Sequence, residues 1–145
     1  MKTILTVIFM TACALEASSQ KLNETKVPQI VKTAFQKAHP AVKANWEWED
    51  ENYEANFKEN GKEMSCVINK QGSILETESP IAVTELPAGA KAYLDENYKG
   101  KKWKETTKIV KANGEVNYEV DIAGKDVLFD TNGHHLQPKK EVEKD

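Results

Sequence analysis

"NYEANFKENGKEMSCVINKQG", residues 52–72, returns in shortened form as "NYEVDIAGKDVLFDTNG", residues 117–133. Working outward, each copy follows a proline-led stretch, "VPQIVKTAFQKAHP" at 27–40 and "LPAGAKAYLDENYKG" at 86–100, with tryptophan in between. The order of parts is the same in both halves: apolar residue and proline, helix, tryptophan, N-Y-E strand, G-K-acidic turn, apolar strand, polar-Gly turn. Self-similarity of this kind reads as duplication.

The spacing within each half gives its elements. Ile30, Val31, Ala34, Phe35 and Ala38 share one face of a helix, as do Ala90, Tyr93, Leu94 and Tyr98, so both helices are amphipathic and predict a sheet to lie on. Pro28 and Pro87 suit the first helical turn, where a missing N–H costs nothing. Pro40 and Gly100 suit the ends. After each helix the period falls to two: Trp46 and Trp48 alternate with Glu47 and Glu49, and Tyr53, Ala55 and Phe57 return beyond "DEN". Asn60-Gly61, Asn113-Gly114 and Asn132-Gly133 are turn pairs, because both residue types tolerate positive φ. Each half therefore predicts an amphipathic helix followed by an antiparallel meander of about four strands, an α+β fold in two tandem repeats.

The hairpin "NWEWEDENYE", residues 45–54, carries five acids. Alternation predicts that its aromatics face inward and its acids face solvent, without the convergence a general acid/base pair needs. Calcium is the functional rival, but the spacing fits no EF-hand loop. His134 and His135 are neighbours whose side chains diverge on a strand, His39 precedes Pro40 at a helix end, and no zinc spacing occurs. Nucleophilic triads, phosphate loops and dinucleotide fingerprints are absent, so no catalytic residue, metal ligand or cofactor is expected. "GKKWKETTKIVK", residues 100–111, reads as a solvated strand face or a patch for an anionic ligand.

The whole chain of 145 residues has 30% charged residues and a net charge of -3. That balance disfavours a nucleic-acid partner, which needs surplus cations. All twenty basic residues are lysine, which removes the side chain best suited to bidentate phosphate recognition. Lys2, the apolar run "ILTVIFMTACAL" and the polar "EASSQ" form an export signal, with cleavage expected before Gln20. A loose lipobox, "MTAC", offers lipidation at Cys13 as the alternative. The apolar run is too short to cross a bilayer, leaving no transmembrane span in the exported chain. Cleavage would leave Cys66 alone, either a small buried hydrophobe or a reactive thiol.

The repeated V/L-P helix, tryptophan, "NYEANF" or "NYEVDI", "GKE" or "GKD", and "INKQG" or "FDTNG" together resemble the PepSY-like, β-lactamase-inhibitor-like family of exported bacterial proteins common in Bacteroidetes. The resemblance spans about residues 26–137. It implies a β-lactamase-inhibitor-protein-like fold with repeats at 26–80 and 85–137, a signal peptide at 1–19, a short N-terminal segment at 20–25 and a charged tail at 138–145. It carries no catalytic motif, and the chain is expected not to be an enzyme. The expectation is an exported binding protein of the periplasm or exterior, an inhibitor or modulator of an envelope protease or hydrolase, with small-ligand or calcium binding as the alternative. Trp46, Trp48, Tyr53 and Trp103 are the candidate partner anchors, since interfaces favour such side chains; filling the core is the competing reading for each.

Overall fold

A computed structural model of the chain describes residues 20–137. The expected signal peptide, the Cys13 lipidation site and the charged tail fall outside the described residues. The elements run β1 (Gln20–Leu22), α1 (Gln29–Ala38), β2 (Ala44–Glu49), β3 (Asn52–Glu59), β4 (Lys62–Ile68), β5 (Ile74–Pro80), α2 (Ala88–Asn97), β6 (Trp103–Lys111), β7 (Val116–Ile122), β8 (Asp126–Phe129) and β9 (His135–Leu136). All nine strands form one antiparallel sheet in sequence order.

This corrects the expectation of a roughly four-stranded sheet for each helix. β5 pairs with β6 from Glu76↔Lys111 to Pro80↔Thr107, so the two meanders continue into one another. The physical reason is edge satisfaction: separate sheets would leave a row of N–H and C=O groups unpaired on each of these strands. At the other end, β1 adds a strand from the N-terminal segment by pairing Gln20, Lys21 and Leu22 with Trp48, Glu47 and Trp46.

Both helices are built as the periodicity predicts, and each closes a core on the same sheet face. Val27, Val31 and Phe35 pack on Trp46, Tyr53, Ala55, Phe57, Cys66 and Ile68. Phe35 meets Trp46 and Phe57 edge-on, with centroids 5.6 and 5.2 Å away, a geometry its ring quadrupole favours. Burying Phe35 contributes about 2–3 kcal/mol. The second core joins Leu86, Ala90 and Leu94 to Val120, Ile122, Val127 and Phe129. Two local expectations shift. Pro28 and Pro87 sit at the cap before the first helical residue, where each carbonyl still accepts from the residue four later, Lys32 or Lys91. Ile30, expected on the buried stripe, is 54% exposed because the stripe centres on Val31 and Phe35.

The turn after each apolar strand is locked in the same way. Asn69 Oδ1 accepts from the N–H groups of Gln71 and Ser73, and Asp130 Oδ1 accepts from those of Asn132 and His134. Gly72 and Gly133 then pass through positive φ, +79° and +82°, against the first turn of α1 or α2. A Cβ on Gly133 would lie 2.9 Å from the backbone of Gly89 and closer still to the Ala90 nitrogen. Gly114 has a similar φ of +84° but open space around it. Gly133→Ala is therefore expected to destabilise by about 3 kcal/mol or more, against about 1 kcal/mol for Gly114→Ala. Urea denaturation midpoints of the two variants measure the difference.

Candidate functional site

Among the described residues the helices cover one side of the sheet, and no helix covers the opposite side. Its side chains follow from the register. One rung across six strands reads Lys21, Glu47, Glu54, Val67, Glu76, Lys111. A second reads Asn45, Asn56, Ser65, Glu78, Ile109, Asn117. A third reads Pro80, Thr107, Glu119, Leu128, Leu136. Glutamates thus recur on β2, β3, β5 and β7, and Glu49 joins them at the end of β2.

Three adjoining depressions hollow this face. One of about 270 Å³ lies among Glu54, Ser65, Glu78, Thr107 and Glu119. Another of about 330 Å³ runs past Glu76, Glu78, Ile109, Asn117 and Glu119 to Leu128 and Leu136. The third, about 170 Å³, lies between Glu49, Asn52, Val67 and Glu76. A larger groove of about 590 Å³ opens on the helix side between α1 and β2, rimmed by Lys32, Lys43 and Gln29.

The open face gathers perturbed carboxyls. Burial first, then the charges of Glu54, Asp50 and Glu76, pushes the Glu49 carboxyl up to about 7. Glu78 is likewise pushed up to about 7 by burial and by Glu76, Glu54 and Glu49, although the Ser65 hydroxyl donates to its Oε2 at 3.4 Å. Burial, followed by Asp126 and Glu78, does the same to Glu119, also to about 7. Glu54 is raised chiefly by burial. Lys111, across from Glu76 in the register, does not relieve this crowding: its Nζ contacts Glu115 Oε1 at 2.7 Å instead. Among the described residues none of Glu49, Glu54, Glu76, Glu78 and Glu119 has an ion-pair partner.

The expectation that the hairpin acids are simply solvated is thereby corrected. Alternation does turn Glu47, Glu49 and Glu54 away from the helices, but onto a face where β5 and β7 bring further glutamates beside them. Even so, the carboxylates are dispersed along rungs. Among the described residues no group of three or more His, Cys, Asp and Glu is placed to hold a metal ion.

The aromatic candidates all lie on the helix side. Trp46 and Tyr53 are buried in the first core. Trp48 is half-buried, edge-on to Tyr53 at 4.8 Å and capped by Lys70 Nζ at 5.5 Å. Trp103 is half-buried against the second core. Cys66 is fully buried under α1, and burial together with Glu54 pushes its thiol up to about 12, so it is not a thiolate at neutral pH. His39 ends α1 and reaches Glu59 at 3.1 Å. His134 and His135 part company, the first 3.0 Å from the Asp130 carboxylate and the second stacked on Tyr93 at 4.6 Å.

No protein-family model matches the sequence, and no curated protein matches it significantly. Solved structures do match. A candidate periplasmic protein from Bacteroides eggerthii has 17% identity and a TM-score of 0.68, over 77% of this chain and 86% of its own. A DUF2874 family protein from Bacteroides uniformis has 18% identity and a TM-score of 0.67, over 76% and 86%. A BLIP-like (β-lactamase-inhibitor-protein-like) protein from Bacteroides fragilis has 20% identity and a TM-score of 0.61, over 81% and 89%. The chain has a BLIP-like fold. At such low identities the likeness concerns architecture, and side chains carry the functional argument. Among the described residues no helix of this BLIP-like chain is long and apolar enough to cross a membrane.

Two measurements follow. A carboxyl raised from its ordinary range to about 7 keeps its proton in the folded chain while the unfolded chain has lost it. Stability therefore falls as pH rises from about 4.5 to about 7 and levels off above. Asp130 and Glu115 are shifted downward, so they act only in more acidic solution. Glu78→Gln should stabilise by on the order of 1 kcal/mol at pH 8 and by almost nothing at pH 4, a difference that urea unfolding at both values detects. Alkylation at pH 8, followed by mass spectrometry of the Cys66 peptide, should label that thiol only as the chain unfolds.

Proposed function

We propose that this protein is an exported, non-enzymatic binding protein of the bacterial envelope whose open sheet face receives a partner protein. The observation carrying the proposal is that face: three adjoining depressions, the glutamates Glu49, Glu54, Glu76, Glu78 and Glu119 without ion-pair partners among the described residues, and the apolar side chains Val67, Ile109, Leu128 and Leu136 between them. A dispersed negative surface with apolar rungs suits the extended, basic surface of another protein. It suits a single calcium ion poorly, because a cation of that kind needs six or more oxygens converging on one point. The export leader of the sequence and the description of the Bacteroides eggerthii structure both support a periplasmic setting. The BLIP-like fold supports an inhibitor or modulator of a protease or hydrolase as the specific role.

We also read the two halves as tandem PepSY-like repeats. The same α-then-four-strand order on each side of β5–β6, and the same Asx-Gly turn docked on each helix, support it. Trp48 and Trp103, which keep part of their rings at the surface, support a second reading in which aromatic anchors on the helix side meet the partner; Trp46 and Tyr53 would then support them from the core.

A photo-crosslinking residue at Thr107 on the open face, and another at Trp48, distinguish these readings in living cells. A discrete adduct from Thr107 and none from Trp48 is the expected result. An adduct from Trp48 alone would move the interface to the aromatic side. Purified adduct partner, assayed with and without added protein, then reports inhibition directly.

A further inference from the structure

The two halves place their indoles on different rungs of the helix side, and the difference leaves a space. "NYEANF" at 52–57 corresponds to "NYEVDI" at 117–122, so Ala44, which pairs with Phe57, occupies the place of Trp103, which pairs with Ile122. Trp46, opposite Ala55, likewise corresponds to Thr106, opposite Val120. In the second half the Trp103 ring packs on the core beneath α2. In the first half the ring sits two residues further along, on the buried Trp46, and the outer rung is left to the methyl group of Ala44. The groove of about 590 Å³ between α1 and β2 opens over this position, with Ala44, Trp46 and Phe35 in its lining. Its size is within the range of ligand pockets.

A strand edge ends open in the same place. β1 covers β2 only from Leu22↔Trp46 to Gln20↔Trp48. Beyond Leu22 the chain turns away, because the Asn23 side chain accepts from the Thr25 N–H at 2.9 Å and caps a short 3₁₀ turn over Glu24–Lys26. Ala44 and Asn45 pair with Phe57 and Asn56 on their inner side, but among the described residues no strand pairs with their outer side. Successive residues of a strand point their N–H and C=O groups to opposite edges, so one of these two offers both groups outward. Lys32 and Lys43 border the groove and make no ion pair among the described residues, and Glu24 lies on the same rim. The wall is already fixed: Gln36 Nε2 donates to the Val42 carbonyl at 3.0 Å and ties α1 to the approach of β2.

We propose that this groove docks a short extended peptide of a partner protein, which adds to the open end of the β2 edge and sets an aromatic side chain over Ala44, with carboxylates toward Lys32 and Lys43. The free backbone groups select an extended main chain, since a strand added to a sheet edge gains affinity from its backbone and specificity from its alternate side chains. The space over Ala44 suits a ring because its counterpart in the second half holds one, and Phe35 and Trp46 supply aromatic neighbours for edge-on packing. Two lysines against Glu24 favour an acidic sequence. The site lies on the helix side at the β1 margin and is independent of the open-face reading, which the Thr107 crosslink tests.

The probe is a fluorescein-labelled peptide of seven residues with tryptophan at its centre, aspartate two residues to either side and threonine elsewhere, its binding to the purified protein read by anisotropy. Saturable binding is expected, weakened at least about tenfold by Ala44→Trp, which fills the notch, and by replacing the peptide's tryptophan with alanine. The double variant Lys32→Glu, Lys43→Glu should weaken it by about as much. Circular dichroism follows the fold of each variant; Trp103 shows that this rung accepts an indole, and the peptide's alanine form gives the same answer with the native protein should Ala44→Trp not fold. Methylating alternate backbone amides of the peptide in two complementary sets should abolish binding for one set and spare the other, because only one edge of the added strand faces β2. Absence of saturable binding would overturn the proposal. So would binding that falls with the lysines yet survives both Ala44→Trp and loss of the peptide's ring, which is charge attraction alone. Equal tolerance of both methylated sets would overturn strand addition and the proposal with it.

Discussion

The backbone pairing between β5 and β6 holds the architecture together. Five residue pairs, Glu76↔Lys111 to Pro80↔Thr107, convert two helix-capped meanders into one nine-stranded sheet. Each strand would otherwise present an edge of unpaired donors and acceptors. The pairing also fixes which side chains share a surface. It sets Glu78 of one half beside Ile109 and, one strand further, within reach of Glu119 of the other half. The first meander carries Glu47, Glu49, Glu54, Glu76 and Glu78 of the acidic face, and the junction brings Glu119 of the second beside them.

The two faces of the sheet are managed in opposite ways. Beneath the helices the side chains are apolar and closely packed, with Phe35, Phe129, Ile68 and Leu94 fully buried. The glycine turns at Gly72 and Gly133 fasten the first turn of each helix to the end of its strands. On the open face, carboxylates occupy central positions where threonine or a neutral amide would be less costly. Glutamates that raise the free energy of the folded chain at neutral pH are readily understood if binding, and not stability, selects them; sites commonly carry such a trade-off. The apolar cores and docked turns supply the stability that lets the sheet tolerate them.

Cys66 and Glu54 are adjacent to one another's strands yet belong to different worlds. Cys66 points under α1 and is closed off from solvent, with its thiol held neutral. Glu54, one strand away and one residue out of phase with Ala55, points to the open face. A single step of the period-two pleat thus separates an inert core atom from the charges of the open face.

By itself the sequence determined the local elements: both helices from their apolar spacing, the alternation of each strand, and the turns from Asn-Gly and Asx chemistry. These are short-range properties, set by backbone sterics and by which face each residue takes. The order of elements was legible for the same reason. The burial of Trp46, Tyr53 and Cys66 was open to two readings, and only packing against α1 separated them. The environment of Glu49, Glu78 and Glu119 was decided by tertiary structure alone. A pKa depends on what lies a few ångströms away in space, and the groups acting on Glu119 include Glu76, forty-three residues earlier in the chain. Outward glutamates could be read from the pattern on each strand; that those of β2, β3 and β5 share one surface, joined by Glu119 across β5–β6, required the strand pairing.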